Sequence, residues 1–300
     1  ERDPDWVDPH LARARIADDW ALARLHVPDR AGAAAAFTHG IDEANAALED
    51  DPGSPEALAL RGHLRWRKAT LTTQRSPDRQ TAVAEAEADL RAALDRDPRS
   101  VMAAASLSEI LISVHRRFAD ARHFALRAYR EDAYLDRADE IINRIALSSL
   151  ELGDDAEAMT WSRLGLQREP DAVAHRAAIL EVMAWGDTEP DPGEGWRYLD
   201  AVTRARPSSD MYYGYTMAAI LARAGLPDSA RAVLDRHTRS LSPENRGRHL
   251  HLEAAVRFRL GDIGQAERLL DRYREIAPSE ARHAASRRIL RGFVDTAEGR

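Results

Sequence analysis

Cysteine is absent from the 300 residues, which excludes a disulfide scaffold, thiolate metal sites and a cysteine nucleophile. No stretch reaches the roughly 18 consecutive apolar residues that a bilayer crossing needs, so no direct membrane insertion is expected. Positive charge is not in excess: 43 Lys+Arg stand against 50 Asp+Glu, for a net charge of −7, and no long basic run occurs. Binding to nucleic acid by counterion release is therefore not expected. The start, Glu1-Arg2-Asp3-Pro4, has neither an initiator Met nor an apolar signal core, and the chain reads as a trimmed piece or an excised domain of a longer protein, with its compartment open. Alternation of period two is missing throughout, which removes strands and leaves an all-α class.

Catalytic and metal-binding patterns are missing as well. His249 and His251 lie two apart, and His115 and His123 lie eight apart across a turn, so neither pair shares a helical face as an i, i+4 metal pair does. The acidic groups Glu49-Asp50-Asp51 and Asp187-Glu189-Asp191 lack the alternating ligands of a calcium loop. Glu85, Glu87 and Asp89 beside Arg91 read as a solvated helix face. With no Ser/His/Asp order and no phosphate-cradling glycine loop, the reading is that the chain is not an enzyme and carries no cofactor.

What is present is punctuation. Amphipathic stretches rich in Ala, Leu and Arg end at Asp51-Pro52, Asp97-Pro98, Glu169-Pro170 and Ala277-Pro278. Steps along Pro52, Pro98, Ala133, Pro170, Pro207, Pro243 and Pro278 measure 46, 35, 37, 37, 36 and 35 residues. All but the first match the helix-turn-helix period of about 34 to 37. Mid-repeat, Gly153, Gly225 and Gly261 are spaced by 72 and 36, and each is followed five residues later by Ala158, Ala230 or Ala266. Such a glycine closes the first helix of a pair in the left-handed conformation, and the alanine lets the second helix approach. The spacing predicts one domain, 1–300, of seven helix pairs over about 9–52, 53–98, 99–133, 134–170, 171–207, 208–243 and 244–278, with a capping helix over 279–296. The last pair should open with one helix over 244–259. Long turns at Thr70 to Arg79 and Gly186 to Gly195 read as insertions, either tolerated surface loops or functional arms.

Pro55-Glu56-Ala57-Leu58 with Gly62, Trp66, Ala93 and Pro98 resembles the tetratricopeptide repeat (TPR) pattern. So do Leu152-Gly153-Asp154 with Ala158 and Pro170, and Leu260-Gly261-Asp262 with Ala266 and Pro278. The resemblance spans roughly residues 30 to 280. It departs at Arg116, where a glycine is expected, at Ala133 in place of proline, and at Gly195 in place of the close-packing alanine. More narrowly, Ala128 to Leu135 and Ala224 to Arg231 are similar to the TPR region that follows the kinase domain in some bacterial serine/threonine protein kinases; no kinase motif is present here.

The TPR resemblance implies a right-handed superhelix whose first helices line an inner groove that binds a peptide or partner protein. Residues carried onto that face are Trp66, Arg67, Asn143, Trp185, Tyr212, Tyr215, Arg223, Arg248, His251 and Arg259, with Glu109, Glu151 and Glu181 making its middle acidic. Tyr212, Tyr215, Arg223, Arg248, His251 and Arg259 are expected to form one patch on two adjacent helices. Against this stands packing of the aromatics between helix pairs. Only Asn143 matches any part of the clamp that grips a chaperone's C-terminal tail, which argues against that partner. The competing function is a structural spacer or oligomerisation scaffold with no groove ligand, and the oligomeric state is open.

Overall fold

A computed structural model describes residues 8–27, 29–73, 76–131, 138–205 and 210–276. Of these residues 85% are helical and none is in a strand, far above the usual helical third. The helices are α1 (Pro9–His26), α2 (Arg30–Asp50), α3 (Pro55–Thr70), α4 (Pro77–Arg96), α5 (Val101–Ile110), α6 (Phe118–Glu131), α7 (Ala138–Leu152), α8 (Asp155–Arg168), α9 (Val173–Trp185), α10 (Pro192–Ala205), α11 (Asp210–Arg223), α12 (Pro227–Ser240), α13 (Pro243–Arg248), α14 (Leu250–Arg259) and α15 (Ile263–Ile276). The Ala133 and Pro207 turns, Pro278 and the 279–296 cap lie outside the described residues.

Each punctuation mark has a backbone cause. Asp51, Asp97 and Glu169 still donate their N–H to the carbonyls of Ala47, Ala93 and Gly165, but the proline that follows forces them out of the helical region, to ψ of 89°, 93° and 88°. That is the expected steric effect on a pre-proline residue. Other prolines open helices: Pro9, Pro55, Pro77, Pro227 and Pro243 occupy first-turn positions, where a missing N–H costs nothing. Pro243 therefore begins α13 rather than closing the repeat before it.

Gly153, Gly225 and Gly261 have φ of +80°, +72° and +82°. In each turn the next residue's N–H reaches back five positions, from Asp154, Leu226 and Asp262 to the carbonyls of Ser149, Leu221 and Arg257. This is the Schellman closure. The alanines five residues on, Ala158, Ala230 and Ala266, are fully buried. At the corresponding turn after α5, a π-helical turn (Leu111–His115) ends on Arg116 at φ +54°, so an arginine takes the glycine's place.

Two compact units divide the chain, residues 1–144 and 145–300. The first has a core of small and branched residues in which Ala14, Ala17 and Phe37 join α1 to α2, and Leu60, Leu64, Leu90, Leu107 and Ile110 continue it. The second centres on Ile179, Met183, Tyr215, Met217, Ile220, Leu234 and Val256. The expected single helix over 244–259 is broken at His249, giving α13 and α14. Gly247 weakens the helix there, and Arg246 folds across the break to donate through Nε and Nη2 to buried Glu253.

Candidate ligand-binding faces

In the second unit, α9, α11 and α14 bring Trp185, Tyr212, Arg223 and Arg259 together. Tyr212 donates to Glu181 at 2.7 Å, and the Trp185 indole lies beside the phenol. Arg223 donates to the carbonyls of Met183 and Thr188, closing the open end of α9. Arg259 extends its guanidinium over the Trp185 ring at 5.0 Å from the centroid. It is exposed, and no described carboxylate forms an ion pair with it. Desolvation, with the charge of Arg223 second, brings its pKa down to about 10.

The rest of the expected patch is elsewhere. Tyr215 is 0% exposed, edge-on to His237 at 4.7 Å, and its ring fills the core between α11 and α12. Trp66 and Trp185 are likewise covered, at 1% and 5%. Tyr215 and Trp66 thus present no face to a ligand, and Trp185 contributes as the platform under Arg259; the expectation that all three line an open groove is corrected on that ground. Arg248 belongs to the detached α13, where it pairs with Glu244 at 2.7 Å in solvent. His251 lies against Tyr273 at 4.7 Å, and burial, with His249 second, lowers its pKa to about 4, so it is neutral. These three do not join Arg223 and Arg259. Arg67 and Asn143, both half-buried, sit in the first unit.

A cavity of about 180 Å³ in the first unit was not anticipated from sequence. One wall is a chain of hydrogen-bonding groups: Asp18 of α1 lies 3.3 Å from His63 Nε2 on α3, and His63 Nδ1 is 2.9 Å from Ser106 Oγ on α5. The opposite wall is Arg144 of α7, whose Nη2 donates to Glu109 at 2.8 Å and Glu140 at 3.0 Å. Val101, Met102 and Ala105 supply apolar surface between them. The Asp-His-Ser order has the composition of a nucleophilic triad, but Ser106 is buried in mid-helix, where the backbone N–H groups are spent on α5 itself and none is free to stabilise an oxyanion. The arrangement suits binding. Of these residues the TPR resemblance had named only Glu109, as part of an inner groove; Asp18 and Arg144 carried no sequence signal beyond their charge.

No protein-family model matches the sequence, and no curated protein matches it. Among solved structures, PilW, described as a widely conserved type IV pilus biogenesis factor, is similar at 15% identity over 78% of this chain and 96% of its own, with a TM-score of 0.52. A tetratricopeptide repeat protein from Parabacteroides merdae has 14% identity, covers 88% of this chain and 93% of its own, and has a TM-score of 0.48. PilF of Pseudomonas aeruginosa has 15% identity, with coverage of 91% and 95% and a TM-score of 0.41. At these identities the likeness is one of fold, and it agrees with the glycine turns and proline boundaries: the chain has an all-α, TPR-like fold.

Proposed function

We propose that the chain is a non-catalytic protein-interaction module, and that the first-helix face of the second unit holds a partner segment by a carboxylate. The observation that carries this is Arg259: a guanidinium laid on an indole, beside a second arginine, with no carboxylate of the described residues on it. Stacking on the ring offsets part of the like-charge repulsion. A partner carboxylate entering the fork of Arg259 removes the rest through charge-assisted hydrogen bonds. Arg and Trp are also the residue types on which binding energy concentrates. The likeness of Ala128 to Leu135 and Ala224 to Arg231 to a post-kinase region gives this reading a setting, the docking part of a larger signalling protein.

Selection from a displayed random-peptide library tests it. Peptides retained by the chain should be enriched in Asp, Glu or a free C-terminal carboxylate, and Arg259→Ala should weaken them at least tenfold with helicity unchanged. Selection without acidic enrichment, or equal binding by Arg259→Ala, overturns the reading.

An oligomerisation role has one observation in its favour. Ile16 and Trp20, one turn apart on α1, are 52% and 64% exposed. A concentration-dependent dimer by light scattering that is lost in Trp20→Ser would support it, and a monomer at all concentrations would remove it.

A further inference from the structure

We infer that the C-terminal end of α3, where Arg30, Lys68 and Arg79 gather, binds a phosphate group. A stripe of cations runs along α3 at Arg61, Arg65 and Lys68, spaced four and three residues apart and so on one face. The first two are answered by neighbouring helices. Arg61 donates to Asn45 of α2 and to both carboxylate oxygens of Asp89 of α4, and Arg65 donates to Asp89 and lies 3.6 Å from Glu85. Because α4 runs antiparallel to α3, the part of it level with Lys68 is Gln80-Thr81-Ala82, which has no acid. Two further cations arrive there instead. Arg30, at the start of α2, donates through Nη2 to the Leu71 carbonyl at 3.1 Å, and Arg79, past the long turn, donates through Nε to the Ala69 carbonyl at 3.2 Å.

These contacts leave positive charge unanswered. The carbonyls of a helix end amount to only about half a negative charge. Among the described residues, Arg30, Lys68 and Arg79 form no ion pair. Asp29, next to Arg30, is taken by Arg24 at 2.7 Å; Asp78, next to Arg79, is exposed and pairs with none of the three. Three cations against Asp78 leave two charges in excess. A phosphate matches that excess, since it carries about −1.5 to −2 at neutral pH and presents three strong acceptor oxygens, whereas a carboxylate neutralises one charge. A nucleic-acid backbone asks for a track of cations, and the next two along the stripe, Arg65 and Arg61, are already spent on Asp89. The site therefore suits one phosphate, on a phosphorylated peptide side chain or free in solution. It belongs to the first unit and does not depend on the reading of Arg259.

The Arg79 Nε–H, held by the Ala69 carbonyl, is the reporter. The intact chain, labelled with nitrogen-15, is titrated with inorganic phosphate and with N-acetyl-phosphoserine methylamide, and in parallel with the glutamate analogue at matched ionic strength. The Arg79 resonance, assigned with Arg79→Gln, should shift and saturate with a phosphate probe, and the glutamate analogue should bind about fivefold more weakly or worse. Lys68→Gln and Arg30→Gln should each raise the dissociation constant by about fivefold or more, and Asp78→Asn should lower it. Arg96→Gln removes the same charge from the far end of α4 and should leave it unchanged. Tighter binding of phosphoserine assigns the site to a phosphorylated peptide, and tighter binding of inorganic phosphate assigns it to the free ion. No saturable shift with either phosphate, equal binding of the glutamate analogue, or equal weakening by Arg96→Gln overturns the inference. Saturation by a single-stranded oligonucleotide where both small phosphates are silent overturns it in favour of a nucleic-acid surface.

Discussion

The Tyr212 hydroxyl donates a hydrogen bond to Oε2 of Glu181 at 2.7 Å, while Oε1 of the same carboxyl group is enclosed with no hydrogen-bond partner. Burial raises the Glu181 pKa from 4.5 to about 7, the tyrosine's hydrogen bond opposes that, and Glu151 adds to it. The folded chain therefore holds the Glu181 carboxyl proton in a range where the unfolded chain has lost it. Its contribution is complete below pH 4.5 and is lost as pH rises through about 7, on the order of 3 kcal/mol. Urea unfolding at pH 5 and pH 8 should show a smaller drop for Glu181→Gln than for the unaltered chain, because glutamine mimics the protonated acid at every pH. Equal drops would place Glu181 in solvent.

Helix glycines divide by what surrounds them. A Cβ on Gly165 of α8 would overlap the imidazole of His175 on α9, and one on Gly214 of α11 would overlap His237 on α12. Both histidines are buried, so neither ring has room to withdraw. Gly165→Ala and Gly214→Ala should each cost about 1–3 kcal/mol. On Gly195 of α10 a Cβ would meet only Met217 and Ile220, at 3.4 Å, an ordinary contact. Gly195→Ala should stabilise by up to about 1 kcal/mol, since alanine is the better helix former. Thermal unfolding of the three variants checks the order.

Arg116 holds the left-handed position that Gly153, Gly225 and Gly261 fill elsewhere. A side chain there is strained by roughly 1 kcal/mol. Its guanidinium lies 5.1 Å from the Phe118 ring, which returns part of that. Arg116→Gly should leave stability unchanged or raise it by up to about 0.5 kcal/mol, whereas Gly225→Ala should lose about 1 kcal/mol. Denaturant midpoints compared at equal m-value decide between them.

The fold was legible because its punctuation is local. A residue before proline and a glycine in the left-handed region answer to sterics within one turn, so Asp51, Asp97, Gly153 and Gly261 could be placed without knowing any neighbour. The binding faces were less legible because a helix turns 100° per residue, and a one-residue slip exchanges groove for core. Tyr212 and Tyr215, three apart, are neighbours on α11, yet one faces Glu181 and the other His237. Asp89 was read as solvated with Glu85 and Glu87; it is buried because Arg61 and Arg65 of α3 reach across to grip it, a contact between helices that a surface-face pattern does not encode. The break at His249 escaped for a related reason, as it depends on Glu253 being enclosed seven residues after Arg246.

Two arginines two residues apart on α13 should differ sharply for that reason. Arg246 donates at 3.0 and 2.9 Å to Glu253, which is 0% exposed; its other cation, Arg257, stands off at 3.8 Å and is bonded to Asp235. Removing Arg246 leaves a buried carboxylate beside the Tyr215 ring with only that distant charge to compensate it. Arg246→Ala should cost about 2–4 kcal/mol. Arg248 pairs with Glu244 where both side chains are mostly in solvent, so Arg248→Ala should cost less than about 0.5 kcal/mol. Glu253→Gln should fall between the two, because Arg246 is partly exposed and can turn to water while Arg257 keeps Asp235. Chemical denaturation of the three variants at neutral pH gives the ranking, and equal costs for Arg246→Ala and Arg248→Ala would show that α13 does not depend on the Glu253 pair.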